Sequence, residues 1–278
     1  MVSAAVTAPR ALPAGRQRFA GALRAEWTKV RSVRSTLWCL VATVVGGIGI
    51  CVLATSSEAS NWRNAGFVDK ALFDPTSISL TGLLFGQLAV GVLGVLVMSA
   101  EYGTGTIRAS LAAVPRRPVV LGAKIVVFGA VALVVSEVVA FAAFFIGQAI
   151  LSGSTPTATL SGPGVTRAVV GGGLYLTVLG LLALGLATII RHTAGAIFTF
   201  VSVLLILPLI VSAFPASIGH PIGRYLPAVI GSAMTTTTGH GHPDFLPSFP
   251  PWTGFSILCA YAVGALVVGG VIMVRRDP

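Results

Sequence analysis

Between Val119 and Leu151 only two side chains ionise, Lys124 and Glu137; everything else is apolar, small or uncharged. A helix needs roughly 18 or more such residues to cross a bilayer, and this chain offers the pattern repeatedly. Six spans are expected, at about 37–55, 79–100, 120–150, 167–190, 194–213 and 253–274. The apolar runs are continuous rather than alternating, which argues against a transmembrane barrel. Charged residues make up 9% of the chain, against about 25% in a soluble domain, too few to cover a water-facing surface. The expected fold is an all-α polytopic membrane protein. The first apolar run follows a long basic segment and lacks a small-residue cleavage site, so it reads as a retained span and not a removed signal.

Ahead of that run, residues 1–16 are small, Pro-containing and unpatterned, as in a disordered tail. Residues 17–36 read as an amphipathic helix. Phe19, Leu23, Trp27, Val30, Val33 and Leu37 share one face, with Lys29 and Arg31 among the basic residues off it. A basic amphipathic helix carrying a Trp and leading into a span is expected to lie at the membrane interface. Glu26 falls on the apolar face and is the one blemish in the pattern. Residues 37–274 form the transmembrane domain, with an outer segment over 214–252, and 275–278 form a short tail. Only "RHT" separates the fourth and fifth spans, so these must make a tight hairpin.

The charges orient the chain. With the N-terminus inside, Arg10, Arg16, Arg18, Arg24, Lys29, Arg31, Arg34, Arg108, Arg116, Arg117, Lys124, Arg191, Arg275 and Arg276 all face the cytoplasm, fourteen of the eighteen basic residues. Arg63, Lys70, Arg167 and Arg224 remain outside. This is the positive-inside distribution, and it places both termini in the cytoplasm. The net charge of +10 is then explained by orientation and anionic lipid. No interleaved aromatic and basic pattern suggests nucleic acid.

Motifs for soluble chemistry are missing. "GTGTIR" lacks the Lys of a phosphate-binding loop, and no zinc-protease, serine-hydrolase or paired-carboxylate pattern occurs. No catalytic residue, bound cofactor or metal site is expected. Cys39, Cys51 and Cys259 fall in spans and read as small core residues. His240, His242 and Asp244 share an outer Gly/Pro-rich loop whose spacing fixes no ligand geometry. "IGRYLPAVIGSAM" in the same segment is too short to span and suits a re-entrant or surface helix. Small residues at Gly82, Gly86, Gly171, Gly172, Gly173, Gly180 and Gly185 suit close helix packing in lipid. Pro208 should kink span five. Glu137 is the one carboxylate deep in a span, where an ionisable group is costly and therefore a candidate for function. Gln87 and Gln148 are its candidate partners along a substrate pathway.

The densest charge outside the N-terminal segment is in "EYGTGTIRASLAAVPRRPVVLGAK", Glu101 to Lys124. A Gly/Thr turn leads into a short helix in which Ile107, Leu111 and Val114 share a face beside Arg108, and "PRRP" ends it. A helix with both charge and apolar anchors suits docking into a protein groove. The order Glu, Gly-Thr, Leu, Pro-x-Arg and span-opening Lys resembles the cytoplasmic loop of permease subunits of ATP-binding-cassette (ABC) transporters of the type-2 export class. "LRAEWTKVRSVRSTLW", "AAFFIGQAIL", "LYLTVLGLLALGLATIIRHTAGAI" and "RYLPAVIGSAM" resemble other parts of such permeases, from about residue 20 onward.

The resemblance implies a bacterial plasma-membrane export permease that is not itself an enzyme. It would act with a second permease subunit, in a homo- or heterodimer, and with separate ATPase subunits that hold ATP and Mg. Residues 101–119 would form the coupling loop, with a coupling helix between spans two and three. Glu101, Gly105, Thr106, Arg108, Leu111, Pro115, Arg116, Arg117 and Lys124 would be its working positions. Glu101 would tie the loop to the interfacial helix through Arg24, Lys29 or Arg31, and Arg116 and Arg117 would meet acidic residues of the ATPase or lipid phosphates. The scarcity of charge in the spans favours an amphipathic or apolar substrate. The alternative reading is a proton-coupled secondary carrier working through Glu137.

Overall fold

A computed structural model describes residues 16–107, 116–237 and 248–275. Among these residues every regular element is helical. Helix α1 (Arg16–Ser32) is followed by α2 (Arg34–Asn61), a single 3₁₀ turn, and the short helices α3 (Phe67–Ala71) and α4 (Pro75–Ser79). Then come α5 (Leu83–Gly103), α6 (Arg117–Leu151), α7 (Val165–Ile190), α8 (Thr193–Val201) and α9 (Leu207–Ser212). The remaining helices are α10 (Ala216–Gly223), α11 (Pro227–Thr235) and α12 (Pro251–Arg275). Among the described residues six stretches are long and apolar enough to cross a bilayer: Arg34–Asn64, Pro75–Gly103, Arg117–Leu151, Val165–Ile190, Thr193–Ser212 and Pro251–Arg275. The expected six-span architecture is present.

Each boundary has a local cause. Val33 adopts an extended conformation, so α1 ends at Ser32 and turns into the first span without a shared axis. Asp74 starts α4 by accepting hydrogen bonds from the Thr76 and Ser77 N–H groups at 3.0 and 3.1 Å, with Pro75 in the first turn. That is the expected start for Asp-Pro-Thr-Ser. Arg191 ends α7 in the left-handed region, φ 59°, and the His192 imidazole then caps α8 by accepting from the Gly195 N–H at 3.2 Å. These two residues make the tight hairpin between spans four and five. Pro208 lacks the N–H that the Leu204 carbonyl would accept, and here the helix widens into a π turn over Ser202–Ile206 before α9.

Helix α7 is the most enclosed span, and α5, α6 and α12 pack around it. Small residues permit this. A methyl added to Gly94 of α5 would strike the backbone carbonyl of Gly180 on α7, and one added to Gly82 would strike that of Gly47 on α2. One on Gly185 would come within 2.9 Å of the Ala265–Leu266 backbone of α12. In lipid, where apolar side chains gain little by leaving their surroundings, such close approach is what holds helices together. The three cysteines are free. Cys51 donates its S–H to the Ala143 carbonyl at 3.1 Å, joining α2 to α6.

The end opposite α1 is fastened by polar contacts. Asp74 also accepts from the Thr237 N–H and hydroxyl at 2.6 and 2.9 Å. Arg167 donates to the carbonyls of Ala233, Met234 and Thr236 at 3.3, 3.1 and 2.7 Å, closing the C-terminal end of α11. The segment expected to be re-entrant or superficial, residues 222–234, runs from the end of α10 through most of α11, which packs on α7 and α12.

Candidate functional site

The polar site at the opposite end is made by α1. Its inward stripe is Ala22, Glu26 and Lys29, spaced by one turn each. Ala22 and Glu26 are buried, and Lys29 is partly so. Phe19 and Trp27, on the expected apolar face, stay substantially exposed. Glu26 is therefore no blemish: it lies at the centre of the face that packs on the bundle.

Four charges close into a ring. Lys124, two turns into α6 and 2% exposed, donates to Glu26 Oε2 and Glu101 Oε1, both at 2.8 Å. It also donates to the Val97 carbonyl at 3.2 Å, so all three ammonium protons are used. Lys29 donates to Glu26 Oε1 at 2.7 Å and to Glu101 Oε1 at 2.6 Å. The ring joins α1 to the last turn of α5 and the first turns of α6. It is neutral overall, which allows these charges to leave water. Lys29 shows the balance. Burial alone would lower its pKa, but the hydrogen bonds and negative charges of Glu101 and Glu26 outweigh it, and the pKa is raised.

The segment between Glu101 and Lys124 leaves from this ring and returns to it. Its turn contains Gly105 at φ +69° and a hydroxyl pair, Thr104 Oγ1 to Thr106 Oγ1, at 2.9 Å. Ile107 is buried. Arg108, Leu111 and Pro115 lie outside the described residues. Arg116 is exposed at the start of α6. Arg117 turns back onto the protein and donates to the Met273 and Val274 carbonyls at 2.8 and 3.3 Å. Arg191 donates to the Ile272 carbonyl at 3.1 Å and stacks over the Tyr102 ring, 5.3 Å from its centroid. Two arginines thus close the last turn of α12, where unpaired carbonyls and the negative end of the helix dipole meet.

The three candidate residues of a substrate pathway do not come together. Gln87 accepts the Tyr175 hydroxyl proton at 2.8 Å between α5 and α7. Gln148 donates to the Pro75 carbonyl and Ser79 hydroxyl at 2.9 and 3.0 Å and accepts from the Ala158 N–H at 2.7 Å. Glu137 packs instead against Gly173 of α7, and its Oε2 is buried without a hydrogen-bond partner among the described residues. No group of three or more His, Cys, Asp or Glu among the described residues is placed to hold a metal. His240, His242 and Asp244 lie outside them.

Sequence reasoning passed over Glu26, Arg191, Asp74 and Arg167 as site residues. Asp74 had a usable signal, the Asp-Pro-Thr-Ser helix start. Arg167 and Arg191 are meaningful only through partners far along the chain, and Glu26 is placed at the ring by Lys124, 98 residues away, as well as by its neighbour Lys29.

Six helices long and apolar enough to cross a bilayer among the described residues define a multi-pass membrane protein. The family model for ABC-2 family transporter proteins matches residues 22–208, well over half of the chain, and the chain belongs to that family. Searching curated proteins gave no match to this chain.

Proposed function

We propose that this permease exports an amphipathic or apolar substrate, driven by separate ATP-binding subunits that dock on the segment between Glu101 and Lys124. The observation that carries this reading is the ring of Glu26, Lys29, Glu101 and Lys124. A docking loop transmits force only if its two roots cannot move independently. Here both roots share Lys124 and Glu101, and α1 is locked to them. A push on the loop would move α1, α5 and α6 as one body. The gathering of Arg116, Arg117, Lys124, Arg191 and Arg275 toward the α1 end supports assigning that end, and both termini, to the cytoplasm. Helix α1 would lie along the inner leaflet of a bacterial plasma membrane. A second permease subunit would complete the pathway, while ATP and Mg would be bound by the ATPase partners and not by this chain.

The working positions divide by exposure. Glu101 and Lys124 face the ring, and Arg117 faces α12. This leaves Arg116 as the described arginine of the loop best suited to touch a partner, with Arg108 and Leu111 as its companions in sequence. The test is to purify the tagged protein from its native membrane in mild detergent and identify what accompanies it. The expected result is an ATPase subunit carrying a phosphate-binding loop, diminished on Arg116→Glu while insertion of the permease is unchanged. Recovery of no ATPase from intact complexes would overturn the reading.

A further inference from the structure

Helix α12 stands apart from the charge ring. It packs on α7 and α11 and only lightly on α6. Near its end it lies close against α7, where a methyl on Gly269 would come within 2.8 Å of the Thr188 side chain and 3.2 Å of the Gly185 carbonyl. Yet both roots of the loop reach its last turn. Arg117, at the α6 root, donates to the Met273 and Val274 carbonyls at 2.8 and 3.3 Å. Tyr102, next to Glu101 at the α5 root, carries the Arg191 guanidinium over its ring at 5.3 Å, and that guanidinium donates to the Ile272 carbonyl at 3.1 Å. Carbonyls at the end of a helix can be satisfied by water, so solvation does not call for two distant arginines. Arg191 also holds a left-handed backbone, φ 59° and ψ 9°, the only positive φ outside glycine among the described residues. Glycine takes that conformation at helix ends without steric cost. An arginine kept there points to a use for its side chain.

We infer that Arg117 and Arg191 are positioning residues that carry a movement of the loop's two roots to the last span. The ring makes α1, α5 and α6 one body at this end, and the two arginines extend that body to α12. A shift of the α6 root pulls on Met273 and Val274 through Arg117. A shift of the α5 root reaches Ile272 through Tyr102 and Arg191. Each bond to a carbonyl is charge-assisted and meets the negative end of the α12 dipole. The arginines thus supply a directional tie where the packing of α6 on α12 is slight. Because α12 lies so close to α7 at Gly269 and Gly185, a pull on its last turn acts on both helices. Only the carbonyl bonds are invoked. They leave room for further partners of either arginine, including Asp277 in the segment 276–278, which follows α12 directly and lies outside the described residues. The role rests on the ATP-driven reading above, because the movement transmitted would begin at the docked ATPase.

The test uses the full chain in complex with its ATPase subunits in nanodiscs, comparing the nucleotide-free form with the form trapped by ATP, Mg and orthovanadate. Hydrogen exchange is read at α1 and at residues 268–275 of α12. Trapping is expected to change exchange at both places in the wild type. Arg191→Gly removes the side chain and leaves a residue suited to the left-handed turn. Combined with Arg117→Gln, it should abolish the change at 268–275 and leave the change at α1. The α1 response in the same sample shows that the variant is folded and docked, which a merely structural loss would not preserve. Arg191→Gly alone should reduce the α12 change in part, and Asp277→Asn should behave as wild type. A full change at 268–275 in the double variant would overturn the role of the two arginines. So would its loss in Asp277→Asn alone, or a wild-type change confined to α1. No change at either place in the wild type would overturn the ATP-driven reading and this role with it.

Discussion

Lys124 on α6 lies 2.8 Å from Glu26 on α1, across 98 residues of sequence. Both side chains are buried. The pair fixes a helix outside the bundle to the third span, and Glu101 and Lys29 complete a circuit through the second. Removing one member of a buried pair leaves the other without compensation and costs about 3–5 kcal/mol, whereas removing both partners costs much less. Lys124→Met should therefore loosen α1, and Glu26→Gln combined with Lys124→Met should recover part of the loss. Proteolysis of the α1–α2 junction and thermal unfolding of the purified protein, followed across the two singles and the double, check this. Strict additivity would mean that the pair carries no coupling.

Helix α1 should also come loose at high pH. The pKa of Lys29 is raised above its ordinary 10.5 by the two carboxylates that accept its protons. A raised pKa means that the folded state holds the proton more tightly than the unfolded chain does. The contribution is therefore complete below about pH 10.5 and declines as pH rises through the folded-state value. Lys29→Arg, which stays protonated over that range, should shift the loss of α1 protection to higher pH. Hydrogen exchange of α1 amides between neutral pH and pH 11, corrected for intrinsic rates, reads the effect.

The spans were legible in the sequence because a bilayer imposes a length and a polarity that no other environment requires, and 120–150 against Arg117–Leu151 shows how closely a boundary can follow. The ring was only half legible. The family resemblance tied Glu101 to α1, but it left Arg24, Lys29 and Arg31 equivalent. Geometry separates them, since Lys29 alone lies one turn beyond Glu26 on the buried stripe while Arg24 and Arg31 are exposed. Glu26 looked misplaced because the partner that buries it, Lys124, is brought to it by tertiary packing. Gln87 and Gln148 failed as partners of Glu137 because each sits where a nearer backbone or hydroxyl group satisfies it.

The close crossing of α5 and α7 makes a sharp contrast between two glycines. A methyl on Gly94 would meet the Gly180 carbonyl, a backbone atom that cannot swing aside, whereas a methyl on Gly49 meets nothing within 4 Å. Gly94→Ala should lower the thermal midpoint in detergent, with a cost of about 1–3 kcal/mol as expected for overpacking. Gly49→Ala should be neutral or slightly stabilising, since alanine favours the helix. Comparing the two midpoints with wild type tests whether backbone proximity organises the bundle. Equal effects would count against it.

Glu137 separates the two sources of energy open to a transporter of this shape. Its carboxyl packs against Gly173 with one oxygen buried and without a hydrogen-bond partner among the described residues. A carboxyl in that position is costly when ionised and much less so when neutral. In a proton-coupled carrier this residue would have to gain and lose a proton in each cycle, and Glu137→Gln would abolish transport. In an ATP-driven permease the neutral amide, nearly the same shape, can replace it. The expectation here is that Glu137→Gln retains at least half of the wild-type transport rate in inverted vesicles supplied with ATP. Collapsing the proton gradient with an ionophore should leave that rate unchanged in both proteins. Loss of transport in the variant, together with loss on adding the ionophore to wild type, would place the energy coupling at this one carboxyl and overturn the proposed role of the charge ring.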